Sequence, residues 1–266
     1  MDTSAPPPDR VVAYAQALTG QLRVVSDGVL RAAYLHGSAV LGGWVAGLSD
    51  VDVLLVAADG IPNAAVTRMG EVLCEGADSC PGRELECSVV TVAQARQPHP
   101  PWPFVLHVTA SPGKPGRTVR PGSGSPGDPD LLMQYAVCRA AGWPVCGPPP
   151  QDLIGVVPRR AILDYLADEL DWGTAHAPEA YAVLNACRGL IYLTDHQIVS
   201  KIAGGQTALR RGTGPAEVIE RALAQQRGSE PGQPPAADAV SFVLATAATL
   251  RSAAADEQGG WRSGSS

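Results

Sequence analysis

An apolar strand that opens on two carboxylates constrains this chain more than any other feature. In DVDVLLVA (50–57), strand alternation puts Asp50 and Asp52 on one face and Val51 and Val53 on the other. The rest of the run is apolar and favours burial. Two carboxylates this close repel each other and resist desolvation, and the neighbouring sequence offers no Lys or Arg to pair with them. A divalent cation removes the conflict. Mg²⁺ takes oxygen ligands and typically uses one or two carboxylates plus substrate phosphates. The plainer alternative is that Asp50 caps the strand and Asp52 is solvated at a sheet edge.

The segments around this strand set the fold class. A helical pattern runs from about Arg10 to Val29. AAYLHG (32–37) reads as a short strand ending in a glycine turn, NAAVTRMGEVLCEGA as a helix, ELECSVVTV (84–92) as a strand and PFVLHVTA (103–110) as a further one. This alternation predicts an α/β (α+β) domain, a mixed sheet flanked by helices. Residues 111–129 show no periodicity and read as a long flexible loop carrying Lys114, Arg117 and Arg120. From there on the pattern is helical, with candidates at 129–142, 159–172, 178–195, 200–211, 215–227 and 236–254. The change near Pro158 divides the chain into a domain over 1–157 and an all-α helical bundle over 158–255, with a flexible polar tail at 256–266.

Two further features sharpen the site. LHGS (35–38) ends one strand in a turn where Gly37 admits a close ligand, and exposed N–H groups with the Ser38 hydroxyl can hold phosphate oxygens. In ELECSVV, Glu86 interrupts an apolar strand. If that strand neighbours the Asp50–Asp52 strand, Glu86 faces the same side and can ligate metal or accept a proton. Glu84 reads as a solvated acid at the strand's start.

The 266 residues carry a formal charge of −6, which gives no bulk attraction to nucleic acid or anionic membrane. No segment has signal-peptide character or the length to span a bilayer, and six cysteines without a C-x-x-C read as reduced thiols, so a cytoplasmic monomer is expected.

The set Gly-Ser turn, D-x-D and later acid resembles the nucleotidyltransferase superfamily that includes DNA polymerase β. Within it, LHGSAVLGGWVAGLSDVDVLLV, LECSVV and VLNACRGLIYLTDHQIVSKIAGGQTAL (183–209) are similar to the aminoglycoside (3'')(9)-O-adenylyltransferases, the streptomycin and spectinomycin resistance enzymes. The resemblance implies transfer of AMP from ATP, with two Mg²⁺ ions, to a hydroxyl of such a drug, releasing pyrophosphate. It assigns Asp50 and Asp52 to the metals, and Glu86 as general base and possible metal ligand. Gly37, Ser38 and Lys201 go to the triphosphate. The family's Asp and His or Asn before the VLNLCR-type helix are replaced here by Pro178 and Tyr181. Asp168, Asp171, Trp172, Glu179 and Tyr181 are the groups expected to meet a cationic sugar. Alternatives are another acceptor, such as a protein side chain or other small molecule, or a non-catalytic nucleotide-binding protein.

Overall fold

The computed structural model describes residues 6–114 and 116–259. Contacts divide the chain into two compact units, one ending at Val157 and the other starting at Pro158.

The first unit is built on β1 (Leu30–Leu35), β2 (Val51–Ala57), β3 (Leu85–Thr91), β4 (Leu106–Ala110), β5 (Arg117–Pro121) and β6 (Trp143–Cys146), in the order β5-β4-β3-β2-β1-β6. The β2–β3 pair is parallel, joined through α2 (Asn63–Gly76), and every other pair is antiparallel. Helices α1 (Asp9–Val25), α3 (Val92–Arg96), α4 (Leu131–Ala141) and α5 (Pro150–Leu153) complete the unit. Burial follows from sequence: every residue of β2 is buried except Asp52, and in β3 Glu86 and the terminal Thr91 are the exceptions. The mixed α/β sheet expected from the alternation is therefore present.

Residues 111–129 are not a structureless loop. Arg117–Pro121 form an edge strand whose residues are all exposed, held by its ladder to β4 from Leu106↔Pro121 to Ala110↔Arg117. A strand with no buried face leaves no hydrophobic alternation to read, which is why the pattern missed it.

The second unit holds α6 (Arg159–His176), α7 (Glu179–Asp195), α8 (Lys201–Arg211), α9 (Ala216–Gln226) and α10 (Ala237–Gly259). Along α10, Ala239, Val243, Ala247, Leu250 and Ala254 are buried at helical spacing, and that helix packs on α6 and α7. It runs to Gly259, so residues 256–259 of the expected tail are helical, and Glu257 pairs with Arg159. Residues 260–266 lie outside the described residues. Among the described residues no helix is long and apolar enough to cross a membrane.

Candidate active site

The glycine turn and the aspartate strand are built as one piece. His36 donates its backbone N–H to the Asp52 carbonyl at 3.0 Å, and the chain then enters a single 3-10 turn, Gly37–Ala39. Gly37 has φ +64°, and a Cβ there would lie 1.8 Å from Asp52 Oδ2. Only glycine lets the carboxylate sit against the turn. His36 is buried, its Nε2 finds no partner among the described residues, and burial pushes its pKa down to about 3. It is a neutral imidazole.

Glu86 stands beside Asp52 in the parallel β2–β3 register and opposite Thr109 of β4. Its pKa is pushed up to about 7, first by burial and then by Asp130, Asp50, Glu84 and Asp128. Asp128 and Asp130 lie at the start of α4, and sequence reasoning passed over them as a helix entry. Asp128 is buried, pairs with Arg120 at 2.5 Å and accepts the Asp130 N–H at 3.1 Å. Next along the same face, Ser88 Oγ lies 3.0 Å from His107 Nδ1, and His107 Nε2 lies 3.1 Å from Thr109 Oγ1. Burial and then Arg120 hold the His107 pKa down.

Asp50 is not left without a cation. Arg83 donates from Nε to Oδ1 at 2.9 Å and from an amino group to Oδ2 at 2.8 Å, and reaches Glu84 Oε1 at 3.0 Å. Glu84 also accepts from Ser111 at 3.4 Å, so it is a paired, half-buried acid rather than a solvated one. Two of the basic residues of segment 111–129 are likewise tied down: Arg117 pairs with Asp78, and Arg120 with Asp128. Trp102 and Phe104 are core residues.

Among the described residues, no three His, Cys, Asp or Glu side chains already converge as a metal cage. The donors are nevertheless hard oxygens, and the crowded negative charge that raises Glu86 is the condition a divalent cation relieves. The residues fit Mg²⁺ held by a few carboxylates with phosphate oxygens completing its shell.

In the helical unit, Lys201 opens α8 behind the Ser200 cap, whose side chain accepts the Ala203 N–H at 3.2 Å. Lys201 Nζ lies 4.2 Å from the Tyr181 ring centroid. The Tyr181 hydroxyl donates to Glu169 at 2.6 Å, and the Trp172 ring meets Tyr181 edge-on at 6.0 Å. Trp172 is 50% exposed and stacks on His176. Asp168 and Asp171 both hold Arg251, at 3.0 and 2.5 Å. Glu179 is displaced from the acceptor set. It is fully buried, and Arg221 donates to both its oxygens at 2.5 and 3.2 Å while the Ala236 N–H adds a third bond. Nothing of its carboxylate is left for a sugar. Sequence reasoning also gave no role to Arg188, which anchors the approach to Lys201 by donating to the Val199 carbonyl at 2.8 Å and to Asn185 at 2.9 Å.

Residues 152–250 match the family model described as aminoglycoside adenylyltransferase, C-terminal domain. Among curated proteins there is no match. Among solved structures the chain is similar to the spectinomycin adenyltransferase AAD(9) from Enterococcus faecialis, solved with ATP and spectinomycin. The TM-score is 0.59 at 18% identity, covering 91% of this chain and 98% of that one. At that identity the likeness speaks to the fold, while the family model speaks to the helical unit. The helical unit thus matches the C-terminal domain of the aminoglycoside adenylyltransferases, and the chain as a whole shares the fold of a solved adenyltransferase.

Proposed function

We propose that the enzyme transfers AMP from ATP to a hydroxyl of a spectinomycin- or streptomycin-type aminocyclitol or aminoglycoside, with release of pyrophosphate. The observation that carries the reading is the placement of Asp52 against the Gly37 turn and in register with Glu86. The glycine turn and the two carboxylates are thereby set against one another.

Gly37 and Ser38 hold the β- and γ-phosphates through N–H groups and the hydroxyl. Asp50 and Asp52, with Glu86 alongside, would hold Mg²⁺. When bound, such cations would supply charge neutralisation to the reacting phosphate. Glu86 accepts the proton of the attacking hydroxyl, a role its place beside Asp52 in the β2–β3 register allows. Lys201, 4.2 Å from the Tyr181 ring centroid, is the cation of the helical unit suited to a triphosphate. Trp172, Tyr181 and Asp171 remain the groups of the helical unit suited to a cationic sugar. ATP as donor and six free thiols support a cytoplasmic location.

Mass spectrometry after incubation with ATP, Mg²⁺ and a drug panel, spectinomycin and streptomycin in separate reactions, tests this reading. One drug is expected to gain a single adenylyl group with an equal amount of pyrophosphate. A panel left unmodified by protein that still binds ATP would move the acceptor elsewhere.

A further inference from the structure

Arg83 occupies the carboxylate that the reading above gives to the metal. Both Oδ atoms of Asp50 are engaged by one guanidinium fork, the geometry in which Arg binds a carboxylate best. A cation drawing on the same oxygens meets a like charge already in place. The pair is built to exchange. The Arg83 side chain is 56% exposed, and an exposed ion pair is weak. Its backbone is fixed by donation to the Ser49 carbonyl at 2.9 Å, so the side chain can move while its root stays. A second acceptor is within reach: Glu84 lies 3.0 Å from the same amino group and is itself steadied by Ser111.

We propose that Arg83 is an exchangeable counter-ion for Asp50, forked onto the carboxylate before the metal arrives and released toward Glu84 when a divalent cation binds. The metal affinity of the enzyme is then set by a competition inside its own chain. This rests on the reading of Asp50 as a metal ligand.

The test is Mn²⁺ binding to the full-length protein, read by electron paramagnetic resonance of the free ion. α,β-Methylene-ATP, which cannot transfer AMP, is present and no drug is added. Arg83→Ala should bind Mn²⁺ roughly two- to fivefold more tightly than the parent, the fold-change that loss of a weak exposed pair allows. Arg83→Lys, which keeps charge but not the fork, should fall between. In an Asp50→Asn background, itself a weaker binder, adding Arg83→Ala should change nothing. Unchanged or weaker Mn²⁺ binding by Arg83→Ala would overturn the proposal and make Arg83 an orienting partner of Asp50. Equal tightening in the Asp50→Asn background would overturn it in favour of a through-space charge effect. Parent-like Mn²⁺ affinity of Asp50→Asn alone would instead remove the metal reading of Asp50, a failure distinct from the other two. Circular dichroism on each variant shows that the folded protein is being compared.

Discussion

Asp52 and Glu86 stand side by side in parallel register on β2 and β3, each a half-buried acid in a strand that is otherwise mostly buried. With Asp52 holding cations and Glu86 taking a proton, the two should fail differently. Asp52→Asn is expected to lower AMP transfer on the order of a thousandfold with an unchanged circular dichroism spectrum, since it removes charge where neutralisation of the phosphates is needed. Glu86→Gln is expected to lower turnover by about a hundred- to ten-thousandfold while ATP affinity holds, the range of a lost general base. Single-turnover kinetics beside equilibrium ATP binding separates the cases. An active Asp52→Asn protein would remove the metal reading.

Gly37 is the backbone side of the same contact. Gly37→Ala meets two obstacles, a left-handed φ of +64° and a Cβ 1.8 Å from Asp52 Oδ2. Gly28 shares the first obstacle, with φ +76°, but has open space around its Cβ position. Gly28→Ala should therefore cost about 1 kcal/mol and leave transfer intact, while Gly37→Ala should cost roughly 1–3 kcal/mol and abolish transfer by displacing Asp52. Thermal melts and transfer assays on both variants check this. Equal activities would mean the turn does not set the carboxylate.

These two sites show what a sequence displays and what it hides. The D-x-D strand, the Glu86 strand and the glycine turn were legible because each is local: alternation assigns faces, and a polar residue in an apolar strand stands out. Arg83 was hidden because it lies far along the chain from Asp50, and only the parallel pairing of β2 with β3 brings it alongside. The pairing of Arg120 with Asp128 was hidden by the exposed edge strand β5, whose hydrogen bonds carry no hydrophobic signature. Glu179 misled for the opposite reason. An acid at a helix start reads as a wet face, but its partners come from α9 and from the chain entering α10.

That burial gives Glu179 a stability role. Glu179→Gln leaves Arg221 without its main anionic partner, and Arg221 is itself only 28% exposed. Losing one partner of a buried pair is strongly destabilising, and the partial exposure of Arg221 softens it to about 2–4 kcal/mol here. The melting temperature should fall by roughly 5–15 °C. Below that transition the KM for the drug should match the parent. A raised KM in fully folded protein would return Glu179 to the acceptor site.

His107 supplies a pH dependence. Its pKa is held below the ordinary 6.5 by burial, so between the depressed value and 6.5 the unfolded chain binds the proton and the folded chain does not. Stability contributed by the neutral ring is complete above pH 6.5 and is lost as pH falls through that window. The slope is bounded by one proton, about 1.4 kcal/mol per pH unit. Denaturant unfolding of the parent and of His107→Gln from pH 7.5 to 5 should give curves that converge on acidification. A gap that stays constant would mean that His107 takes up its proton in both states alike.

Tyr181 is one of the residues expected from the sequence to meet a cationic sugar, yet its ring lies 4.2 Å from Lys201 Nζ and its hydroxyl is bonded to Glu169. If the ring steadies Lys201, the ATP side of the kinetics should register its loss. Tyr181→Leu removes the aromatic face, and a cation–π contact at a partly exposed site is worth about 0.5–1 kcal/mol, so the KM for ATP should rise roughly two- to fivefold. Tyr181→Phe keeps the face and loses the bond to Glu169, so its KM for ATP should stay near the parent value. Lys201→Ala should raise that KM further than Tyr181→Leu, and adding Tyr181→Leu to it should do little more, because the ring then has no cation to hold. A drug KM that moves while the ATP KM stands still would assign Tyr181 to the acceptor instead.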